Sequence, residues 1–295
     1  MTTLNKNQKR YKELYEQLQQ GLYKLTDNQI MEILKAMKSN RDMLLDEIAK
    51  VILKYNVSDN VLDLSLAQKR MLINMFNELI DNTLNIELKE ERKELGTMLV
   101  AGANEKELTL NFLNEVGGIN TDIRKVDKKT KEKIINTKVD GKGWSKRYGD
   151  NKNAIANRLK KDIKDLLNGD TDINTIRDNI IKTYNINADA TKRLVSNEVN
   201  RVQEGICEEW QLNNGVEYVM YSATLEGNTC SECSKYDTKV YSIDKKPVEL
   251  PQHPYCRCTY IGIPDKDWRP KTRLDNSTKK NIAWQSYQEW KNSLE

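Results

Sequence analysis

Apolar positions in the first 120 residues recur at helical spacing. Tyr11, Leu14, Tyr15, Leu18 and Leu22 follow the i, i+3, i+4, i+7 rule, which puts them on one face of a helix. Gly21 is a candidate break in that helix. Thr26 or Asp27 is a candidate cap for a second helix, whose stripe runs Ile30, Ile33, Leu34, Met37, Leu44, Leu45, Ile48, Val51, Ile52 and Tyr55. A third carries Met71, Leu72, Met75, Phe76, Leu79 and Ile80 and continues toward Leu95. No proline precedes Pro247, so no ring removes a backbone donor and long helices are permitted. Stripes of Leu, Ile and Met at this spacing are core or helix-seam positions.

Gly117-Gly118 is the first clear interruption, and Gly141, Gly143 and Gly149 predict a loop over Asp140–Asn151. A helix is expected from about Asn151 to Leu167, stopping at Asn168-Gly169. Another starts at a Thr171 cap and ends near Tyr184. A longer one opens at Asn187, carries Leu194, Val195, Val199, Val202, Ile206 and Trp210, and closes at Asn213-Asn214-Gly215. Beyond Gly215 the pattern turns strand-like over Glu217–Thr224, Lys239–Ser242 and Thr259–Ile263. All five prolines lie in this last part. The tail after Pro270 is expected to end in a helix with Trp284, Tyr287 and Trp290 on a shared face.

Composition sharpens this outline. Of 295 residues, 38% are hydrophobic and 31% charged, and the mean hydropathy is −0.77. That balance suits elongated helical pieces with wet faces. No apolar run approaches the roughly 20 residues of a membrane span, and Met-Thr-Thr-Leu-Asn-Lys is not followed by the apolar stretch of a secretory signal. Net charge is only +4, yet Arg124–Lys161 holds 14 Lys/Arg against 4 Asp/Glu. Either this run faces a nucleic acid or an acidic partner, or it is a solvated lysine-rich surface. Lys142, Trp144, Lys146 and Arg147, with Tyr148 beside them, are the candidate nucleic-acid contacts: rings that can stack on bases, set among cations. The competing reading makes Trp144 a loop anchor buried against the helical core.

The strongest motif is Cys230-x-x-Cys233 followed by His253-x-x-Cys256-x-Cys258. Each short knuckle turns the backbone tightly enough to aim two side chains at one point, and thiolates with imidazole suit Zn²⁺. Cys230, Cys233, His253 and Cys256 are the expected ligands. Cys258 is the alternative fourth, since residues two apart in an extended segment point the same way. Cys207 reads as a small helix-core residue. The only His of the chain is His253, which excludes chemistry needing two imidazoles; if it binds metal, no imidazole remains as a general base, so the zinc reads as structural. The fold class expected is therefore mainly α with a small C-terminal β-rich zinc-binding module (α+β). Its regions are 1–120 helical, 121–215 basic loop and helices, 216–263 the Cys/His module and 264–295 a tail.

At these residues the chain resembles the phage minor head, or head morphogenesis, proteins of the Mu F-like family. The residues carrying the resemblance are Leu194-Val195-Ser196-Asn197-Glu198-Val199-Asn200, Gly215, Tyr221-Ser222-Ala223-Thr224, Thr229-Cys230-Ser231-Glu232-Cys233 and Leu250-Pro251-Gln252-His253-Pro254-Tyr255-Cys256-Arg257-Cys258. Ser196-Asn197 stand where the family often has Arg-Thr, and Gln252 where it often has Pro. The resemblance implies a non-enzymatic virion component of a tailed bacteriophage. It would lie inside the capsid near the portal, present in host cytoplasm during assembly, and serve head assembly and DNA packaging or ejection. Portal, capsid and scaffold proteins would be its partners, together with phage DNA bound without sequence preference; the N-terminal helices would dock on portal or scaffold, and no membrane is involved. The competing class is a zinc-containing nucleic-acid-processing enzyme of the H-N-H nuclease type, which would need a catalytic His beyond the ligands.

Overall fold

The computed structural model describes residues 6–58, 61–117 and 122–294, and for residues 6–25, 58, 116–117 and 173–174 the backbone alone. Helices dominate: α1 Lys6–Lys54, α2 Leu66–Gly117, α3 Lys128–Ile135, α4 Trp144–Asn168 and α5 Ile173–Asn213. A two-stranded ribbon of β1 Val57–Ser58 and β2 Val61–Leu62 joins α1 to α2. The remainder is a small β region: β3 Tyr218–Ser222, α6 Ser231–Ser234, β4 Val240–Ser242, β5 Thr259–Ile263, β6 Thr272–Asp275, β7 Lys280–Ala283 and α7 Tyr287–Asn292. Among the described residues no helix is long and apolar enough to cross a membrane. The protein is thus mainly helical with a small C-terminal β region, and it divides into two compact units.

The first unit comprises residues 28–97 and 138–195. Its core is built from the expected stripes: Leu44, Ile48 and Val51 of α1, Leu72, Phe76, Ile80 and Leu84 of α2, Ile155, Leu159, Ile163 and Leu166 of α4, and Ile176, Ile180 and Tyr184 of α5. Gly169 ends α4 with φ of 89°, its N–H bonded to the Leu166 carbonyl. A left-handed residue here satisfies carbonyls that the last turn leaves open.

The second unit comprises residues 1–27, 98–137 and 196–295. Its antiparallel sheet has the order β4-β3-β5, with Met220 opposite both Val240 and Ile261. β6 and β7 form a separate hairpin. Val219, Tyr221, Ala223 and Tyr260 pack with Cys233, Cys256 and Cys258 on one side. Met220, Ile263 and Trp268 form a second cluster, and Leu225, Tyr287 and Trp290 a third. Asp237 and Arg273 bind these pieces together. Their bidentate contact has Nη1–Oδ2 at 2.8 Å and Nη2–Oδ1 at 2.7 Å, both side chains almost wholly buried. Asp237 also accepts from the N–H groups of Ala223 and Tyr287, and Arg273 donates to the carbonyls of Gln285 and Ala223.

Several predicted boundaries change. α1 runs unbroken through Gly21, Thr26 and Asp27; one glycine costs only about 1 kcal/mol in a helix interior, and neighbouring turns outweigh it. The face through Tyr11, Leu14, Tyr15, Leu18 and Leu22 lies outside the residues whose side chains are described, as does Gly118. α2 continues past Leu95 to Gly117. The loop predicted over Asp140–Asn151 gives way to α4 at Trp144, so Tyr148 and Gly149 are helical. α5 is continuous where two helices were expected, because Thr183, Asn187 and Thr191 are buried and polar residues on a core face imitate a break. Asp172, one residue after the predicted Thr171 cap, accepts from Thr175 N–H at 2.8 Å. In the tail, Tyr287 and Trp290 share α7, whereas Trp284 lies outside it beneath the Arg273 guanidinium.

Candidate metal centre and cationic surface

The first knuckle is a helix start. Cys230 caps α6, its Sγ accepting from the Cys233 N–H at 3.3 Å. The second is a turn in which the Cys256 N–H bonds the His253 carbonyl at 3.1 Å and Tyr255 takes a positive φ of 61°. Two asparagines of α5 hold that turn: Asn197 Oδ1 accepts from Tyr255 N–H at 2.9 Å, and Asn200 Nδ2 donates to the Cys256 carbonyl at 2.8 Å.

All five candidate donors converge. Cys230, Cys233 and His253 form one triad and Cys233, Cys256 and Cys258 another, the ligand atoms of each lying within 4.8 Å of one another. His253 Nε2 is 3.2 Å from both Cys230 Sγ and Cys233 Sγ, and Cys233 and Cys256 sulfurs are 3.8 Å apart. Two sulfurs each about 2.3 Å from a tetrahedral zinc would be about 3.8 Å apart. His253 Nδ1 lies 2.8 Å from the Pro254 carbonyl, the outer bond that leaves Nε2 as the free donor of a ligating imidazole. Tyr221 adds a further feature. Its ring is fully buried and its hydroxyl has no hydrogen-bond partner of ordinary geometry, while its environment is set by Cys258 and Cys233. A hydroxyl with nothing to donate to except sulfur fits a site that holds thiolates.

The electrostatics agree. Hydrogen bonds from Cys233 and Cys258 hold the Cys256 thiol down to about 2, the Cys256 contact pushes Cys233 up to about 12, and contacts with Cys233 first and Cys256 second push Cys258 up as well. Three sulfurs in contact cannot all ionise unaided, because like charges repel in a buried site. Burial raises the Cys230 thiol, but the Cys233 N–H and the His253 field bring it below its ordinary value. Burial lowers His253, yet the Pro254 carbonyl and the neighbouring thiolates carry it above the usual imidazole range. These residues are therefore able to bind a cation, and they fit a soft or borderline one. Cys207 stands apart, buried in α5 beside the Tyr260 carbonyl.

The basic run meets carboxylates of this same chain. Lys131 is 2.7 Å from Glu107, Lys152 is 2.7 Å from Glu87 and Lys160 is 2.6 Å from Asp81, all three acids on α2. Lys142 and Lys146 both reach Asp150, at 2.7 and 2.9 Å, and hold its carboxyl down at about 2. Trp144 is half-buried, its ring over Gly96 of α2. Tyr148 is buried and donates to Glu91. Arg147 is half-buried. The exposed cations of the run are Arg124, Lys125, Lys128, Lys129, Lys133 and Lys138 besides Lys142, Lys146, Arg158 and Lys161.

Sequence reasoning missed Asn197, Asn200, Tyr221 and the Asp237–Arg273 pair. Asn197, Asn200 and Tyr221 had a signal, since they stand inside the runs that carry the family resemblance, whereas Asp237 and Arg273 had none.

Residues 147–261 match the family model of phage Mu protein F like protein, which supports a similarity of this segment to phage head morphogenesis proteins. The matched segment takes in most of α4, all of α5 and both knuckles. No curated protein and no solved structure matches the chain.

Proposed function

With residues 147–261 similar to phage head morphogenesis proteins, we propose that this protein is a minor head protein of a tailed bacteriophage. It sits inside the capsid near the portal and acts in head assembly and in DNA packaging or ejection. Portal, capsid and scaffold proteins are its partners, and the virion is its final location, reached from the host cytoplasm. The single observation that carries the reading is that one family match spans both the long helices and the Cys/His cluster.

The role is structural rather than enzymatic. His253 turns Nε2 toward the two sulfurs and Nδ1 toward a carbonyl, so it has no nitrogen left for acid–base work. The H-N-H nuclease alternative lacks its base. Zinc is held by Cys230, Cys233, His253 and Cys256, with Cys258 as the alternative fourth ligand. It supplies charge compensation for the thiolates and a cross-link that a small β region with little core needs.

Purified phage particles test the assignment. Antibody against the chain should label heads at the portal vertex, and cross-linking should join it to the portal protein. Particles made without it should assemble or deliver DNA poorly. Its absence from mature heads and proheads alike would overturn the proposal, as would metal-dependent plasmid cleavage by the purified chain.

A further inference from the structure

In the unit formed by residues 28–97 and 138–195, two carboxylates meet one ammonium. Glu87 and Glu91, one turn apart on α2, face Lys152 of α4; its Nζ is 2.7 Å from Glu87 Oε2 and 2.8 Å from Glu91 Oε2. The three side chains are 1%, 4% and 2% exposed. Tyr148, one turn before Lys152, donates to Glu91 Oε2 at 2.7 Å. From α1, Asn40 Nδ2 donates to Glu87 Oε1 at 3.1 Å.

The surrounding groups leave the charge unbalanced. Among the described residues α5 contributes neutral groups: Thr191 against Tyr148, Tyr184 within the field of Glu87, and Asn187, fully buried with neither amide atom partnered. Asn187 lies three residues after Tyr184 and four before Thr191, so it shares their helix face. Arg41 of α1 acts on Tyr184 but is bonded to Asp42. Arg92, next to Glu91 on α2, is directed across Gly149 to the Ser145 carbonyl. Two carboxylates and one ammonium give a net charge of minus one in a dry interior. A buried charge without a counter-ion takes up a proton instead.

We propose that Glu87, Glu91 and Lys152 form a proton-linked latch between α2 and α4: one proton closes the cluster, and its loss above neutrality loosens the pairing of these helices. Burial drives Glu91 up to about 7, the Glu87 charge acts in the same sense, and Lys152 and Tyr148 oppose both. A carboxyl raised in the folded state stabilises the fold below its unfolded value, and that stability is lost as pH rises through the folded one. From pH 6 to pH 8 the equilibrium for opening α2 from α4 should therefore rise about tenfold. The inference is independent of the phage assignment, because it uses only the helical unit.

Hydrogen exchange on the full chain tests it, with rates corrected for intrinsic pH dependence. Wild-type amides of α2 and α4 around the cluster should lose about tenfold protection between pH 6 and pH 8. Glu91→Gln keeps the shape, removes the charge, and should give a flat profile better protected at pH 8. Amides of β3 and β5 serve as the reference and should not respond to the substitution. Equal pH dependence in wild type and variant would overturn the proposal. If Glu91→Gln fails to fold, difference infrared spectra of the wild type decide. A buried carboxylic acid that ionises near neutrality, at a higher pH in Tyr148→Phe because a donor to the carboxylate is gone, supports the latch. A cluster ionised throughout overturns it.

Discussion

At the Cys/His cluster the neighbours of each sulfur matter as much as the sulfurs. Cys230 accepts a backbone N–H, Cys256 sits in a turn pinned by Asn197 and Asn200, and Tyr221 has only Cys233 and Cys258 to serve. Metal analysis of untagged protein should find about one zinc per chain, as a single four-ligand site requires. Cys230→Ser, Cys233→Ser and His253→Ala should each lose it, Cys207→Ser should keep it, and comparing Cys256→Ser with Cys258→Ser identifies the fourth ligand. Tyr221→Phe removes only a hydroxyl and should weaken metal binding about 10-fold or more, the usual cost of an outer hydrogen bond to a ligand. Unchanged affinity in a competition titration would exclude that hydroxyl from the site. A second residue-level test concerns Asp237. Asp237→Ala would strand the buried Arg273 guanidinium and should cost about 3–5 kcal/mol in denaturant unfolding. Replacing both partners with apolar residues should cost less.

Helix ends and close approaches account for most of the element boundaries. Gly169 has φ of 89° and lies where an added Cβ would come within 3.0 Å of Val61. Gly169→Ala should therefore lower stability by about 1 kcal/mol, with thermal unfolding as the readout. Gly149→Ala would drive a methyl into the Arg92 guanidinium; it should destabilise α4, and adding Arg92→Ala should recover part of the loss. The helical stripes were legible because every third or fourth residue is apolar, and Leu44, Phe76, Leu159 and Ile180 all end in the core. Helix continuity was not legible. Tyr184 to Asn187 reads as a stop only if Asn187 is taken to be exposed, and it is buried. Two starts carried signals that pattern reading passed over: Ser65 with Gln68, and Ser286 with Glu289, each bonding the other's backbone. The Cys/His cluster showed because its candidate donors fall in two short knuckles of the sequence. Asp237 and Arg273 are 36 residues apart, and pairing over that distance is a tertiary fact without a local pattern.

Across the whole chain the net charge is only +4, and the fold decides where the excess is left exposed. Lysines of the basic segment are partnered by acids of α2, which reduces the charge left for any outside partner. The residual cationic surface is best defined on α3. Asp127 caps that helix and Arg201 donates to the carbonyls of Ile134 and Ile135 at its end. Lys131 is tied down by Glu107 and Asn104, whereas Lys128, Lys129 and Lys133 are exposed. Should this surface hold packaged DNA, binding will be indifferent to sequence and steeply salt-dependent, because each neutralised phosphate releases counterions. Charge reversal at Lys128, Lys129 and Lys133 should then weaken retention and reduce the slope of log affinity against log salt by up to roughly 0.9 per lost contact. Reversal at Lys142 and Lys146 should do less to affinity, since Asp150 already neutralises part of their charge, and should instead release the Asp150 carboxyl toward its ordinary value. Trp144→Ala separates anchoring from base stacking. A half-buried ring lying on Gly96 should cost about 1–2 kcal/mol, below the 3–5 of a fully buried one, and leave DNA retention unchanged; lost retention at intact stability would mean stacking. Filter binding at about 50 mM salt, where phosphate contacts are strong, is the decisive measurement. No retention by the wild type there would leave the lysines of α3 as a solvated face, or as the docking surface of an acidic protein.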